Sequence, residues 1–402
     1  MNNRAFLPAR NKRRRFNTGH TNNSRGGGRK FSGTYIDPAK FINKAIMGAE
    51  QVNPEILHRF SDFAFSPELQ GNITARKYET PTPIQDGAIA PALEGKDVIG
   101  LANTGTGKTA AFILPIIERL HAAGGRGSAL IIAPTRELAT QINDEFNAFA
   151  KGLRLYSALC VGGTSMYRQI SALQRRPQLI IGTPGRLKDL NQQGVLKLAA
   201  THTLVLDEAD RMLDMGFIND IRHLIQQLPE QRQTLFFSAT TTPQIDRLTW
   251  EFLKDPVTVS VRQGNTSQNV EQNVIHASSK EEKIQILSEM LQKPEFEKVL
   301  VFGETKYGVQ KLADKLDQQG IRAQAIHGNK SQPQRQRALD AFKGSRVRVL
   351  VATDVAARGL DINNVSHVIN FDTPNTYDDY IHRIGRTGRA GNKGHALTFV
   401  SR

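Results

Sequence analysis

From Phe60 onward, short apolar runs rich in β-branched residues alternate with stretches whose apolar positions recur at helical spacing. A first series of runs lies at 97–102, 129–134, 178–184, 203–207 and 234–240. A second lies at 298–305, 322–328, 348–354, 367–374 and 395–400. An unbroken apolar strand must be buried on both faces, and the intervening helices supply the cover, so each series predicts a mainly parallel sheet. Two series predict two α/β domains, over 54–261 and 274–402. The segment 261–274, VRQGNTSQNVEQNV, is polar and lacks helical periodicity, so a linker is expected at 262–273.

Residues 1–53 break this pattern. They hold eleven Lys or Arg against two acids, Asp37 and Glu50. Residues 1–33 contain no acid and are rich in Asn, Gly and Arg, so they cannot bury enough surface to offset their ordering entropy. They are expected to be a disordered basic tail. Within the extension, 36–47 predicts a short helix. Asp37 caps it, Pro38 occupies its first turn, and Phe41, Ile42, Ala45 and Ile46 share a face.

Composition narrows the function classes. A chain of 402 residues suits two domains, and 39% hydrophobic residues exclude a wholly disordered chain. No apolar run reaches the roughly 18 residues of a membrane span, and none follows the basic N-terminus as in a secretory signal. The single cysteine, Cys160, excludes an internal disulfide framework and reads as a small buried apolar residue. The net charge of +15 calls for a polyanionic partner, nucleic acid before anionic membrane. The tail then reads as a non-specific nucleic-acid arm.

The chemistry concentrates where strands end. Run 97–102 leads into Ala102-Asn103-Thr104-Gly105-Thr106-Gly107-Lys108-Thr109 and then a helical stretch. This is the strand–loop–helix setting of a phosphate-binding loop. Glycines let backbone N–H groups curl around an anion, and the helix N-terminus adds its dipole. Lys108 would meet the β- and γ-phosphates, and Thr109 a Mg²⁺ ion. Asp207 ends the run TLVLD and points to the same rim, where it can hold Mg²⁺ through water. Glu208 follows, placed to orient and deprotonate an attacking water.

With these motifs in order, the chain from about Phe60 to Arg402 resembles the DEAD-box ATP-dependent RNA helicases of superfamily 2. That resemblance implies two RecA-like domains, ATP and Mg²⁺ as cofactors, and RNA as partner. The family's first phosphate-loop position is Ala, as in Ala102; Asn103 and Thr106 depart from its usual Gln and Ser. KYETPTPIQ (77–85) resembles the adenine-reading motif, so Gln85 would pair with the adenine edge and Phe60 would stack on the base. Lys77 stands where that motif usually has Gly, and the adjacent aromatic, Tyr78, is retained. Thr135, Arg136, Gly163, Thr183 and Arg186 in the first domain would touch the sugar-phosphate backbone. Gln332, Arg335 and Thr353 would do so in the second. Asp361 would contact the ribose. Arg386 and Arg389 would serve as arginine fingers, and His382 would relay contact to the first domain. Ser238 and Thr240, in SAT, would couple hydrolysis to RNA binding. The expected protein is a cytoplasmic monomer without membrane attachment that unwinds short duplexes. An ATP-gated RNA clamp is the alternative, and a DNA translocase a third reading that the PTRELA, SAT and DEAD forms disfavour.

Overall fold

The computed structural model describes residues 37–43, 56–103, 105–261, 269–357, 362, 365–388 and 393–401. The basic tail, most of the linker, and the site residues Thr104, Asp361 and Arg389 lie outside the described residues, as do Ala45 and Ile46.

The described strands form two sheets. The first contains β1 (Val98–Leu101), β2 (Ser128–Ile132), β3 (Ser157–Cys160), β4 (Leu179–Gly182), β5 (Thr201–Leu206), β6 (Gln233–Ser238) and β7 (Val257–Ser260). Their spatial order is β3-β4-β2-β5-β6-β1-β7, with every pairing parallel. Side chains alternate between two cores. Ile131, Val205, Leu235 and Phe237 pack on one face, and Leu130, Leu204 and Phe236 on the other. Burial on both faces is why these runs read as unbroken apolar sequence.

The second sheet contains β8 (Val270–Ala277), β9 (Val299–Phe302), β10 (Ala323–Ile326), β11 (Val349–Ala352), β12 (His367–Asn370) and β13 (Gly394–Ser401). Its order is β10-β11-β9-β12-β13-β8, again parallel throughout. Val299, Val301, Val349 and Val351 face one core; Leu300, Phe302, Leu350 and Ala352 face the other.

Three strands, β3, β7 and β8, are absent from the sequence-derived runs, and each is a sheet edge. In β7 and β8 polar residues interrupt the apolar ones and leave no continuous run, whereas β3 is apolar from Ala158 to Cys160 and has no such break. In β7, Thr258 and Ser260 are exposed between half-buried valines. The linker expectation also needs correction at one end. Residues 270–273 belong to β8, where Val270 and Gln272 are buried.

The extension is corrected too. Asp37 caps a turn as expected, its carboxylate accepting from the Ala39 N–H at 2.9 Å, but the turn is a 3-10 helix confined to Pro38–Phe41. Ile42 is exposed rather than sharing a buried face with Phe41. Asn43 then forms an antiparallel bridge to Gln272 of β8.

Strand order positions the chemistry. The C-terminal ends of β5, β6 and β1 lie side by side, and those of β3, β4 and β2 occupy the other half of the same rim. Ligands of open α/β sheets bind outside these strand ends.

Candidate nucleotide site and basic cleft

β1 ends at Leu101, and the helix Lys108–Ala122 begins seven residues later. Gly105 and Gly107 have φ of +86° and +91°, values that L side chains rarely adopt. The loop is braced from within. Thr106 Oγ1 donates to the Asn103 carbonyl at 2.8 Å, and Lys108 Nζ donates to the Ala102 carbonyl at 2.7 Å. Gln85 braces it from outside. Its Nε2 donates to the Gly107 carbonyl at 3.0 Å, and its Oε1 accepts from the Thr82 N–H at 2.9 Å. Gln85 thus secures the loop, a role its place in the adenine-reading motif did not foretell.

Beside the loop lies a cavity of about 460 Å³ lined by Tyr78, Gly105, Lys108, Thr109, Asp207 and Glu208, among others. Of the nucleotide residues expected from sequence, Tyr78, Gly105, Gly107, Lys108, Thr109, Asp207 and Glu208 line this cavity, Gln85 and Thr106 brace the loop beside it, and Phe60 does not reach it. Phe60 is 1% exposed and meets Phe63 and Tyr78 edge-on in the core. A ring wedged in this way cannot stack on a base, so Phe60 is a core aromatic, and the ring that reaches the cavity is Tyr78.

Asp207 is buried, and its Oδ1 accepts from the Glu208 N–H at 2.9 Å. Burial pushes its carboxyl up to about 7, against the pull of the Lys108 ammonium. A carboxylate held so dry at the rim is one that a cation would stabilise. Glu208 sits at φ +52° and pairs with the buried Arg211 guanidinium at 2.9 Å. Asp210 was missed in the sequence. One of its oxygens lies 3.1 Å from both the Ala239 and Thr240 amides and 3.2 Å from the Thr240 hydroxyl, and all three donate to it. Ser238 Oγ donates to the Thr240 carbonyl at 2.8 Å. The strand end after β5 is thereby tied to the strand end after β6.

A second cavity, of about 420 Å³, opens at the other half of the rim. Thr135, Arg136, Thr183, Arg186 and Arg335 line it. Thr135 caps the helix Arg136–Phe149, its Oγ1 accepting from the Leu138 N–H at 3.2 Å. Burial, reinforced by the charges of Arg335 and Arg186, holds the Arg136 guanidinium below its ordinary value. Arg186 Nη1 is buried without a hydrogen-bond partner. Converging guanidinium groups with an unsatisfied donor have the chemistry that would suit an anion. Gly163, at φ +74°, lies directly under the Arg136 guanidinium, where a Cβ would clash with it.

The second sheet reaches this cleft through the helix Gln332–Lys343. Arg335 Nε lies 2.8 Å from Glu137 Oε1, and Gln332 Nε2 donates to the same oxygen at 3.2 Å. Both residues were expected to touch RNA; their side chains pack against Glu137, which the sequence reading passed over, and of the two Arg335 also lines the cleft. Thr353 follows β11, half-buried, and is not among the residues lining the cleft. His382 and Arg386 line a small pocket of the second sheet with Asp354, Asp379 and Arg383, separate from the Lys108 cavity. Arg383 is anchored there by Asp354 at 2.6 and 2.7 Å and by Asn370 Oδ1 at 3.1 Å. Cys160 is buried at the end of β3, its thiol pushed up to about 12 by burial.

Comparison with known proteins gives the family. Residues 82–248 match the DEAD/DEAH box helicase family, and residues 282–391 the helicase conserved C-terminal domain. The chain is 46% identical over 344 residues to the ATP-dependent RNA helicase CshA of Limosilactobacillus reuteri, a match covering 85% of this chain and 69% of that protein. It is 45% identical over 343 residues to the DEAD-box ATP-dependent RNA helicase CshA of Geobacillus kaustophilus, covering 85% and 73%. Among solved structures it is similar to S. cerevisiae Dbp5 bound to RNA and ADP BeF3, with TM-score 0.75, 31% identity and 85% and 89% of the two chains covered. It is also similar to the DEAD-box helicase Mss116 bound to ssRNA and UDP-BeF, with TM-score 0.78, 30% identity and 85% and 74% covered. The chain belongs to the DEAD-box ATP-dependent RNA helicases.

Proposed function

We propose that this chain hydrolyses ATP to separate short RNA duplexes locally, or to strip proteins from RNA. The convergence of Lys108, Thr109, Asp207 and Glu208 on one cavity, beside a cleft lined by Arg136, Arg186 and Arg335, carries this reading. The phosphate-loop amides and Lys108 bind the triphosphate. Tyr78 flanks the nucleotide, and Gln85 reads adenine with its second N–H and its second lone pair while still bracing Gly107. Thr109 and the buried Asp207 carboxylate fit a Mg²⁺ ion; bound there, it would neutralise the charge developing on the phosphate oxygens. Glu208 accepts a proton from the attacking water as the new bond to the γ-phosphorus forms and the bond to ADP breaks. The Glu208–Arg211 pair holds that carboxylate in place.

RNA lies along the arginine cleft with its phosphates toward Arg136 and Arg186, and Thr135 and Thr183 add hydroxyl contacts. Such contacts read backbone rather than bases, so sequence preference is low. In this reading 54–261 and 274–402 act as separate domains. ATP and RNA together close them, which brings Arg386 and Arg389 to the γ-phosphate, while the basic tail tethers RNA. The protein acts as a monomer in the cytoplasm. The test is ATP-dependent release of a labelled strand from a short RNA duplex by the purified chain. Release that requires hydrolysable ATP is expected. RNA retention with ATP bound but no strand release would make the chain an ATP-gated clamp.

A further inference from the structure

One stretch of the extension is built into the fold. The 3-10 turn Pro38–Phe41 directs Phe41 into an apolar pocket of Val270, Tyr380, Ile384, Ala396 and Val400, where its ring is 0% exposed. The Phe41 and Tyr380 centroids are 4.6 Å apart, with the rings tilted by 53°. Asn43 then pairs with β8 in both directions. Its N–H donates to the Gln272 carbonyl at 3.0 Å, and the Gln272 N–H donates back at 2.8 Å. The Tyr380 hydroxyl donates to Gln272 Oε1 at 2.9 Å. Segment, edge strand and Tyr380 thus form one connected network.

Tyr380 and Ile384 stand four residues apart on the helix Tyr377–Ile384, so they share one face. Arg386 follows that helix after a single glycine, and its N–H donates to the Arg383 carbonyl at 3.1 Å. On its other side the helix is fixed by Arg383, bonded to Asp354 and Asn370. A helix of eight residues has little stability of its own, so its position is set by what packs on it. In the apolar cluster against it, among the described residues, Phe41 is the one contributor from ahead of the first sheet.

We infer that Phe41 is a positioning residue for ATP hydrolysis. Residues 37–43 clasp the second domain and set the placement of the helix that presents Arg386. This inference rests on the assignment of Arg386 as a finger toward the transferred phosphoryl group. The clasp touches neither cavity of the first sheet, so it acts on turnover and not on substrate capture.

The experiment measures RNA-stimulated ATPase of the full chain as wild type, Phe41→Leu, Phe41→Ala, Arg386→Ala and the Phe41→Ala/Arg386→Ala double variant. Misplacing a catalytic group by about 1 Å lowers rate by as much as about 10²-fold, so Phe41→Ala should lower kcat by roughly ten- to a hundredfold. KM for ATP and RNA affinity should stay unchanged, and Phe41→Leu should keep most of the activity. In the Arg386→Ala background, Phe41→Ala should cost little more, because both act through one group. A chain starting at residue 44 should regain turnover when a peptide of residues 37–43 is added in trans, and not with its Phe41→Ala counterpart. Unchanged kcat in Phe41→Ala overturns the inference. A loss that is undiminished in the Arg386→Ala background also overturns it, leaving Phe41 a stability residue. Unchanged turnover in the Arg386→Ala single variant would instead overturn the finger assignment on which the inference rests.

Discussion

Glu208 shows how one side chain is prepared for chemistry. Its backbone is left-handed at φ +52°, and its carboxylate meets the buried Arg211 guanidinium at 2.9 Å. A non-glycine residue in that region costs about 1–3 kcal/mol and persists where the surroundings enforce it. Here Asp207 accepts the Glu208 N–H, which locks the turn. Glu208→Gln keeps the shape and removes the proton acceptor. Turnover should fall by about 10²–10⁴-fold. ATP affinity, read by titration of a fluorescent analogue, should stay near wild type. Near-normal turnover would return the general-base role to another group. At the same scale, Phe60 and Tyr78 take different parts: Phe60 is buried, and Tyr78 lines the cavity. Both are aromatic and close in sequence, so composition cannot say which ring is trapped in the core. The packing of Phe63 and Tyr78 around Phe60 decides it.

At the scale of elements, strand order divides the rim of the first sheet into a nucleotide half and an arginine-lined half. The turn after β3 shows how closely the second half is fitted. Gly163 is left-handed and underlies Arg136. Gly163→Ala adds a methyl group where the guanidinium lies, and strains the turn as well. RNA affinity should fall on the order of tenfold, in keeping with about 1.5–3 kcal/mol for a hydrogen bond to a charged group. ATP binding in the absence of RNA should be untouched, since Lys108 and Asp207 sit on other strand ends. Equal loss of both would mean the whole sheet had shifted.

The start of β12 supplies a pH dependence. His367 is stacked between Phe296 and His395, at 4.1 and 4.8 Å. Burial first, and then the neighbouring His395, lowers its imidazole to about 4, against a smaller opposing pull from Glu295. The unfolded chain binds a proton near the ordinary value of 6.5, and the folded chain refuses it. Stability from this group is therefore complete above pH 6.5 and is lost as pH falls toward 4, by on the order of 2 kcal/mol. Urea midpoints measured across that range should decline for the wild type. They should decline less for His367→Phe, which keeps the stack without the proton. Parallel curves would locate the acid sensitivity elsewhere.

At the scale of the whole molecule, the proposed reaction needs groups from both sheets. Arg386 lines a pocket distinct from the Lys108 cavity, so its effect should be confined to states that bring the two together. Arg386→Ala should lower RNA-stimulated hydrolysis by up to about 10³–10⁵-fold, the range for arginine fingers in phosphoryl transfer. ATP affinity without RNA should change little; a matching loss of affinity would place Arg386 in ground-state binding. The tail makes a separate contribution. Residues 1–33 carry nine Lys or Arg and no acid. Each phosphate neutralised on a single strand adds about 0.7 to the slope of log affinity against log salt, so if about half of these charges engage, deletion to Gly33 should flatten it by roughly three units. Turnover at saturating RNA should hold, because that deletion spares residues 37–43. Identical slopes would reduce the tail to a solubility device.

The amino-acid pattern by itself determined the class of this protein. Strands buried on both faces must be apolar throughout, and a phosphate loop needs its glycines and lysine in one unbroken stretch, so both are written contiguously. Polar residues interrupt β7 and β8, which hid them in the sequence. Tertiary structure alone decided the pairings across long sequence separations. Asp210 reaches Thr240, Glu137 receives Arg335, and Phe41 fills a pocket made by β8, β13 and the helix before Arg386. Local sequence encodes a residue's own backbone preference and periodicity. Which buried carboxylate or ring it meets depends on how distant segments pack, and no local pattern carries that information.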